Sequence, residues 1–292
     1  MCDTVFLRKI AIGTAQFGLN YGISNLDGQS SFAEVCNILN KAADLGIDTL
    51  DTAAAYGNSE SVLGEALKET NQKFNLVTKL SGKDEPVAET VGKSLEKLGA
   101  TSVYGCLFHD FKAWQQEPQL LDALQNLKAE GKISKVGFSL YYPAQAEELL
   151  AKNVAFDLVQ VPYSLFDQRF ETVFPELKKV GVEIHTRSVF LQGLFFLEPE
   201  KTSSYFKEIL PQISAVNRYA EKHKIPLNLL LLGFAVLHPD IDKIVIGVEN
   251  AAQLEQNAAF INYLPQIEKL YQVLQNFALE KEEFLLPFNW KL

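Results

Sequence analysis

Eight short runs rich in apolar and β-branched residues recur along the chain, and no other feature restricts its fold as much. They lie at Ile10–Ala15, Ile47–Ala53, Phe74–Leu80, Val103–His109, Ile133–Ser139, Phe156–Val161, Val182–Phe190 and Lys243–Val248. Patterns of helical period separate consecutive runs. Ser31-x-x-Glu34 reads as a capping box that opens a helix carrying Phe32, Val35, Ile38 and Leu39, with Gly46 as its stop. Asn58 reads as the N-cap of a helix with Val62, Leu63, Ala66 and Leu67 on one face, and Leu120, Leu121, Leu124 and Leu127 share a face before Gly131. Pro143 and Pro226 sit where a first helical turn tolerates proline. Strict strand–helix alternation implies a parallel sheet covered by helices. Eight such units most simply close into an α/β fold of the TIM type, a single-domain (β/α)8 barrel spanning residues 1–292. The competing doubly wound sheet lacks support, because Gly13-Thr14-Ala15-Gln16-Phe17-Gly18 after the first run does not fit the dinucleotide fingerprint GxGxxG. Residues from about 262 to 292 are expected to form a C-terminal helix and a tail on or near the barrel mouth.

Composition agrees with one such domain. The 292 residues are 47% hydrophobic and 22% charged, enough to bury a full core. A net charge of −9 without any Lys/Arg cluster argues against nucleic acid and anionic membrane surfaces as partners. Leu229–Leu232 is far too short to span a bilayer. Cys2, Cys36 and Cys106 form no CxxC pair and read as reduced thiols. No basic start followed by an apolar core marks a leader, so a cytoplasmic protein is expected. Oligomeric state is not legible.

Active sites of (β/α)8 barrels lie at the C-terminal ends of the strands. The expected strands end in Asp51, Lys79, His109, Ser139, Gln160 and Arg187, which places six polar side chains at one mouth. Each has an ordinary structural explanation by itself: a turn cap, a snorkelling lysine, a satisfied rim histidine. Their recurrence at equivalent strand ends is what those explanations do not cover. Asp51 and Lys79 each follow a strongly apolar segment where an unpaired charge is costly, so they are expected to pair. Tyr56 follows Asp51 by five residues. An ammonium a few ångströms from a phenol stabilises the phenolate, which makes Tyr56 a candidate general acid. His109 is then a neutral donor that polarises a carbonyl oxygen. This set suits protonation of an oxyanion as hydride arrives at carbon, or the reverse. Hydrolysis suits it less: Ser59 and Ser61 have no nearby histidine, and the four histidines lack zinc-type spacing, so no metal is expected.

From Ile10 to about Phe260 these residues resemble the aldo-keto reductases. The matching pieces are GTAQFG (13–18), GIDTLDTAAAYGNSE (46–60), VTKL (77–80), LFHD (107–110), KVGFS (135–139), VQVPYS (159–164), RSVFLQG (187–193) and IVIGVENAAQLEQN (244–257). The resemblance implies a catalytic tetrad of Asp51, Tyr56, Lys79 and His109. It also implies a nicotinamide dinucleotide bound across the mouth without a Rossmann domain. Ser139 and Gln160 fall where the family holds the carboxamide, and Arg187 falls where many members stack a tyrosine on the ring. A guanidinium can stack there too. Ser188, Leu191 and Gly193 would follow the pyrophosphate.

Gly247 to Asn257 looks like the family segment around the 2′-phosphate and adenine, with Gln256 and Asn257 on the adenine. Phosphate binding at a helix start after strands 7 and 8 is also expected physically. Positions 250 and 253, often basic in NADPH enzymes, are Asn250 and Gln253, and Glu249 adds a negative charge. NADP(H) is the family default; NAD(H) or dual use stays open. Asp110-Phe111 replaces the proline-containing sequence of many members, and the short start leaves little room for the usual plugging hairpin. The expected partner is a small carbonyl or alcohol, with a sugar derivative or small aldehyde as first guess. Phe17, Tyr21, Phe111, Trp114, Tyr163 and Phe190 are the candidate walls, with a lid near Trp290. Two other readings stand beside the oxidoreductase: a regulatory or scaffold member that binds cofactor with little turnover, and a barrel hydrolase or isomerase.

Overall fold

The computed structural model describes residues 3–23, 25, 28–80, 85–197 and 203–290; Cys2 lies outside them. Its eight strands are β1 (Ile10–Gly13), β2 (Thr49–Asp51), β3 (Asn75–Leu80), β4 (Val103–Phe108), β5 (Ile133–Ser139), β6 (Leu158–Pro162), β7 (Glu183–Arg187) and β8 (Lys243–Gly247). They pair in parallel in the order β1 to β8 and close on themselves, as the register Gly13↔Gly247 between β1 and β8 shows. A closed barrel excludes the doubly wound sheet. Each strand coincides with one of the apolar runs, because a strand covered by helices on one side and packed inside on the other has no polar face. Several strands stop one to three residues before their runs do, among them β1, β2 and β7. β1 ends at Gly13 because Ala15–Gly18 turns helical, and β7 ends at Arg187 because Ser188 takes a left-handed φ of 70°.

Helices cover the outside. The helix Phe32–Asp44 follows β1, stops before Gly46, and buries Val35, Ile38, Leu39 and Ala42. Ser59–Thr70 follows β2 and packs between the helices Phe32–Asp44 and Val87–Leu98. Leu227–Leu237 is apolar almost all round because it is enclosed, with the helices Leu210–Lys222 and Leu264–Leu274 and the turn Ala259–Tyr263 packed against it. Among the described residues no helix is long and apolar enough to cross a membrane. Two capping expectations need correction. Asn58 makes no side-chain cap; its Oδ1 instead accepts from Gln29 Nε2 at 3.0 Å. Ser31 does accept from the Glu34 amide at 3.3 Å, but the Glu34 carboxylate crosses to the helix Ala251–Ala258 and accepts from the Ala251 amide at 2.7 Å. Cys36 and Cys106 are free thiols.

Opposite the mouth, Glu183 at the start of β7 gathers Tyr104 Oη at 2.7 Å, His185 Nε2 at 2.6 Å and the Lys135 ammonium. Burial alone would raise the Glu183 pKa, but these donors hold its carboxyl well below the usual range. A buried ionic cluster at this end of such a barrel fits a role in stability.

Candidate active site

β2, β3 and β4 deliver three side chains to one point. Asp51 ends β2, Lys79 lies one residue from the end of β3, and His109 follows β4, its amide bonded to the Leu80 carbonyl at 3.2 Å. Lys79 Nζ donates to Asp51 Oδ1 at 2.5 Å and to the Thr52 carbonyl at 3.0 Å. Only 1% of Lys79 and 3% of Asp51 is exposed, so neither charge would be stable there without the other. Gln160 at the middle of β6 donates Nε2 to Asp51 Oδ2 at 2.7 Å. A carboxylate accepts only, which fixes the orientation of that amide. Sequence reasoning paired Asp51 with Lys79 but missed this third member, because no local pattern links residues 109 positions apart.

Tyr56 stands on a tight turn after β2. Its amide bonds to the Ala53 carbonyl, and its own carbonyl accepts from the Ser59 amide, each at 3.0 Å. Two glycines make that turn fit. A Cβ on Gly18 would fall 2.0 Å from the Tyr56 carbonyl oxygen, and Gly57 has φ 57° against the backbone of Gly18. Ser59 is tied down by Thr14 and Thr52, which leaves it a structural hydroxyl. Lys79 Nζ lies 5.2 Å from the Tyr56 ring centroid, and the His109 ring meets the Tyr56 ring edge-on at 5.8 Å. Burial by itself would lower the Lys79 pKa; Asp51 and Tyr56 more than offset it, and the pKa is raised. Burial, then the Lys79 charge, lowers the His109 pKa to about 4, so its imidazole is neutral at pH 7.

A cleft runs from Asp51, Tyr56, Gln160 and Arg187 past Ser188 and Gly193 to Gln16, Gly247, Glu249 and Gln253. A second chamber opens over Tyr56, Lys79, His109 and Ser139, walled by Tyr21, Tyr141, Gln192, Pro287 and Phe288. Arg187 borders both. Its guanidinium stacks on Tyr141 at 4.2 Å and donates to the Leu140 carbonyl at 3.2 Å. Gln192 Nε2 donates to Tyr21 Oη at 3.0 Å, which joins the loops after β1 and β7 beside the cleft.

The cleft fits a dinucleotide on its own evidence. Gln16, 8% exposed, points an Oε1 with no hydrogen-bond partner at its lining, and a Cβ on Gly247 would collide with that amide at 2.6 Å. Ser188, Leu191 and Gln192 all hold positive φ, the kind of backbone strain that collects at binding loops. Gln16 was not singled out in the sequence; a buried amide without a partner becomes visible only in three dimensions.

Not every residue expected from the sequence reaches the cleft. The Leu191 side chain is fully buried beneath it, while its neighbours Val189, Phe190 and Gln192 form the wall. Asn250 turns inward and accepts from the Gln253 amide at 2.8 Å as a helix cap. Gln256 is exposed, and Asn257 is buried and accepts from Asn228 Nδ2 at 2.9 Å; neither lines the cleft. Of the aromatic wall candidates, Tyr21 and Phe190 line a cavity. Phe17, Phe111, Trp114 and Tyr163 are core residues instead. Trp290 packs on Phe206 and bonds the Phe284 carbonyl, and Pro287 and Phe288 take the place expected for it.

Comparison with known proteins finds relatives among the oxidoreductases. The chain is 23% identical to the uncharacterized oxidoreductase YqkF of Bacillus subtilis over 92% of its length and 96% of that protein. It is 22% identical to the NADH-specific methylglyoxal reductase of Escherichia coli over 88% of this chain and 94% of that one. Its fold superposes on the holo form of aldo-keto reductase AKR11C1 from Bacillus halodurans with a TM-score of 0.75, covering 94% of this chain and 93% of that one at 24% identity. The Aldo/keto reductase family pattern itself matches residues 9–273, and the chain therefore belongs to that family of NAD(P)H-dependent oxidoreductases.

Proposed function

We propose that the chain interconverts a small aldehyde or ketone and its alcohol, with Tyr56 exchanging the proton at the carbonyl oxygen. The observation that carries this reading is the line of buried contacts behind Tyr56: Gln160 to Asp51, Asp51 to Lys79, and Lys79 beside the phenol. Asp51 keeps the Lys79 ammonium charged, and that ammonium stabilises the phenolate left when Tyr56 gives up its proton. His109, neutral at pH 7, donates a hydrogen bond to the carbonyl oxygen and makes it a better proton acceptor. Arg187, Ser188, Gly193, Gln16 and Gly247 would hold the dinucleotide along the cleft. Ser139 and the amide oxygen of Gln160 would receive its carboxamide. Leu191 acts through its left-handed backbone, and Glu249, Asn250, Gln253, Gln256 and Asn257 form the far end and its support. When bound, the dinucleotide supplies hydride to the substrate carbon or takes it away. The phosphorylated and unphosphorylated cofactors share these parts, so the account applies to NADP(H) and NAD(H) alike.

The substrate would occupy the chamber over Tyr56 and His109. Its walls mix hydroxyls and an amide (Tyr21, Ser139, Gln192) with Phe288, which suits a small aldehyde or a sugar-derived carbonyl. Steady-state reduction of a panel of small aldehydes and sugars with NADH and with NADPH tests the reading. Turnover of at least one substrate class is expected. Tight cofactor binding with no turnover across the panel would replace it with a regulatory role.

A further inference from the structure

We infer that Glu34 makes the far end of the cleft reject a phosphate, so that the chain uses NAD(H) in preference to NADP(H). This rests on the reading above that the cleft holds a nicotinamide dinucleotide. With the reactive ring at Tyr56, the adenosine must lie at the opposite end, by Gly247, Glu249 and Gln253. There the helix Ala251–Ala258 begins, and such a start ordinarily offers backbone donors to a phosphate. Here the protein's own side chains already occupy three backbone amides around that start. The Ala251 amide donates to Glu34 Oε1 at 2.7 Å, the Gln253 amide to Asn250 Oδ1 at 2.8 Å, and the Glu249 amide to Gln253 Oε1 at 2.7 Å.

Glu34 is the informative member, because its own helix offers it an alternative. In a complete capping box its carboxylate would return to the Ser31 amide. Instead it crosses to Ala251 and also accepts from Asn37 Nδ2 at 3.1 Å. Glu34 does not itself line the cleft, but its carboxylate sits on the first amide of the helix that begins between the lining residues Glu249 and Gln253. No lysine or arginine among the lining residues stands at this end; Arg187 is at the other. Lys41, about two turns beyond Glu34, is paired with Glu255 at 3.2 Å. Repulsion between like charges a few ångströms apart at a partly exposed site is worth about tenfold in affinity, and a phosphate carries nearly two charges. A ribose diol, by contrast, donates hydrogen bonds that a carboxylate accepts.

The test is the dissociation constant of NADH and of NADPH, measured by calorimetry without substrate, for the wild type and Glu34→Gln. Glutamine keeps an acceptor for the Ala251 amide and removes the charge. The wild type should bind NADH at least about tenfold more tightly. Glu34→Gln should narrow that ratio by about tenfold through tighter NADPH, with NADH changed by less than about threefold. Adenosine 2′,5′-bisphosphate against 5′-AMP on the wild type reads the same preference without a variant and should favour 5′-AMP. A wild type that prefers NADPH, or a ratio that Glu34→Gln leaves unchanged, overturns the inference while the dinucleotide reading stands. Binding of neither dinucleotide overturns both.

Discussion

Lys79→Met removes one half of a buried ion pair at nearly constant volume, and the structure sets the expected cost. Asp51 would keep Gln160 on Oδ2 but lose its partner on Oδ1, and the Thr52 carbonyl would lose its side-chain donor. A carboxylate only 3% exposed then stays charged without compensation, or takes up a proton at a cost. Breaking such a pair typically costs about 3–5 kcal/mol. At about 2–4 °C per kcal/mol for a chain somewhat larger than 150–250 residues, Tm should fall by roughly 10 °C. Removing the stranded charge should recover part of the loss, so Asp51→Asn combined with Lys79→Met should be more stable than Lys79→Met by about 1–3 kcal/mol. Urea unfolding of the wild type, both single variants and the double variant measures this cycle. Losses that simply add, or a Lys79→Met cost below about 1 kcal/mol, would show that the two charges are not coupled as described.

Other perturbations separate the remaining parts. The His109 pKa of about 4 lies below its unfolded value of 6.5, so the unfolded chain binds more protons between those values and stability falls as pH drops from 6.5 towards 4. That loss reaches about 3 kcal/mol, and it should disappear in His109→Gln when unfolding free energies are compared at pH 7 and pH 4.5. Arg187→Ala should weaken both dinucleotides alike, because the guanidinium lies beside Tyr56 at the end they share, and Arg187→Tyr should restore much of the loss; a selective effect on NADPH would move Arg187 away from the ring. Phe288→Ala, which removes an edge contact to Tyr141 at 4.9 Å, should change KM across an aldehyde series by severalfold and leave cofactor Kd unchanged, as titration would show.

How much of this was legible depends on the distance over which each feature is set. Asp51, Lys79 and His109 announced themselves because each is a polar residue closing an apolar run, and a barrel brings all such ends to one mouth. The strands followed from the same runs. Partners fixed by tertiary packing left no trace. Nothing near Gln160 says that its amide holds Asp51, and nothing near Glu34 says that it abandons its own helix for Ala251. Phe17 and Tyr163 looked like cavity walls because an aromatic near a strand end reads alike whether it faces the mouth or the helices; both are fully buried. The reverse holds for Pro287 and Phe288. They reach the chamber because the tail is anchored from outside, by Arg169 Nη1 to Glu282 Oε1 at 2.5 Å and Tyr205 Oη to the Glu283 carbonyl at 2.9 Å, and neither anchor is a sequence pattern.

In the proposed reaction Tyr56 exchanges the proton while the cleft alone holds the cofactor. Tyr56→Phe removes one hydroxyl and leaves the Gly18–Gly57 turn, the Asp51–Lys79 pair and the rest of the cleft in place. The most direct measurement is kcat for a turned-over aldehyde beside the cofactor Kd, in the wild type and in this variant. The account predicts a Kd within about twofold of the wild type and a kcat lower by at least the ~10²-fold typical of losing a general acid. A variant that turns over within about threefold of the wild type would contradict it, because the proton would then come from another group.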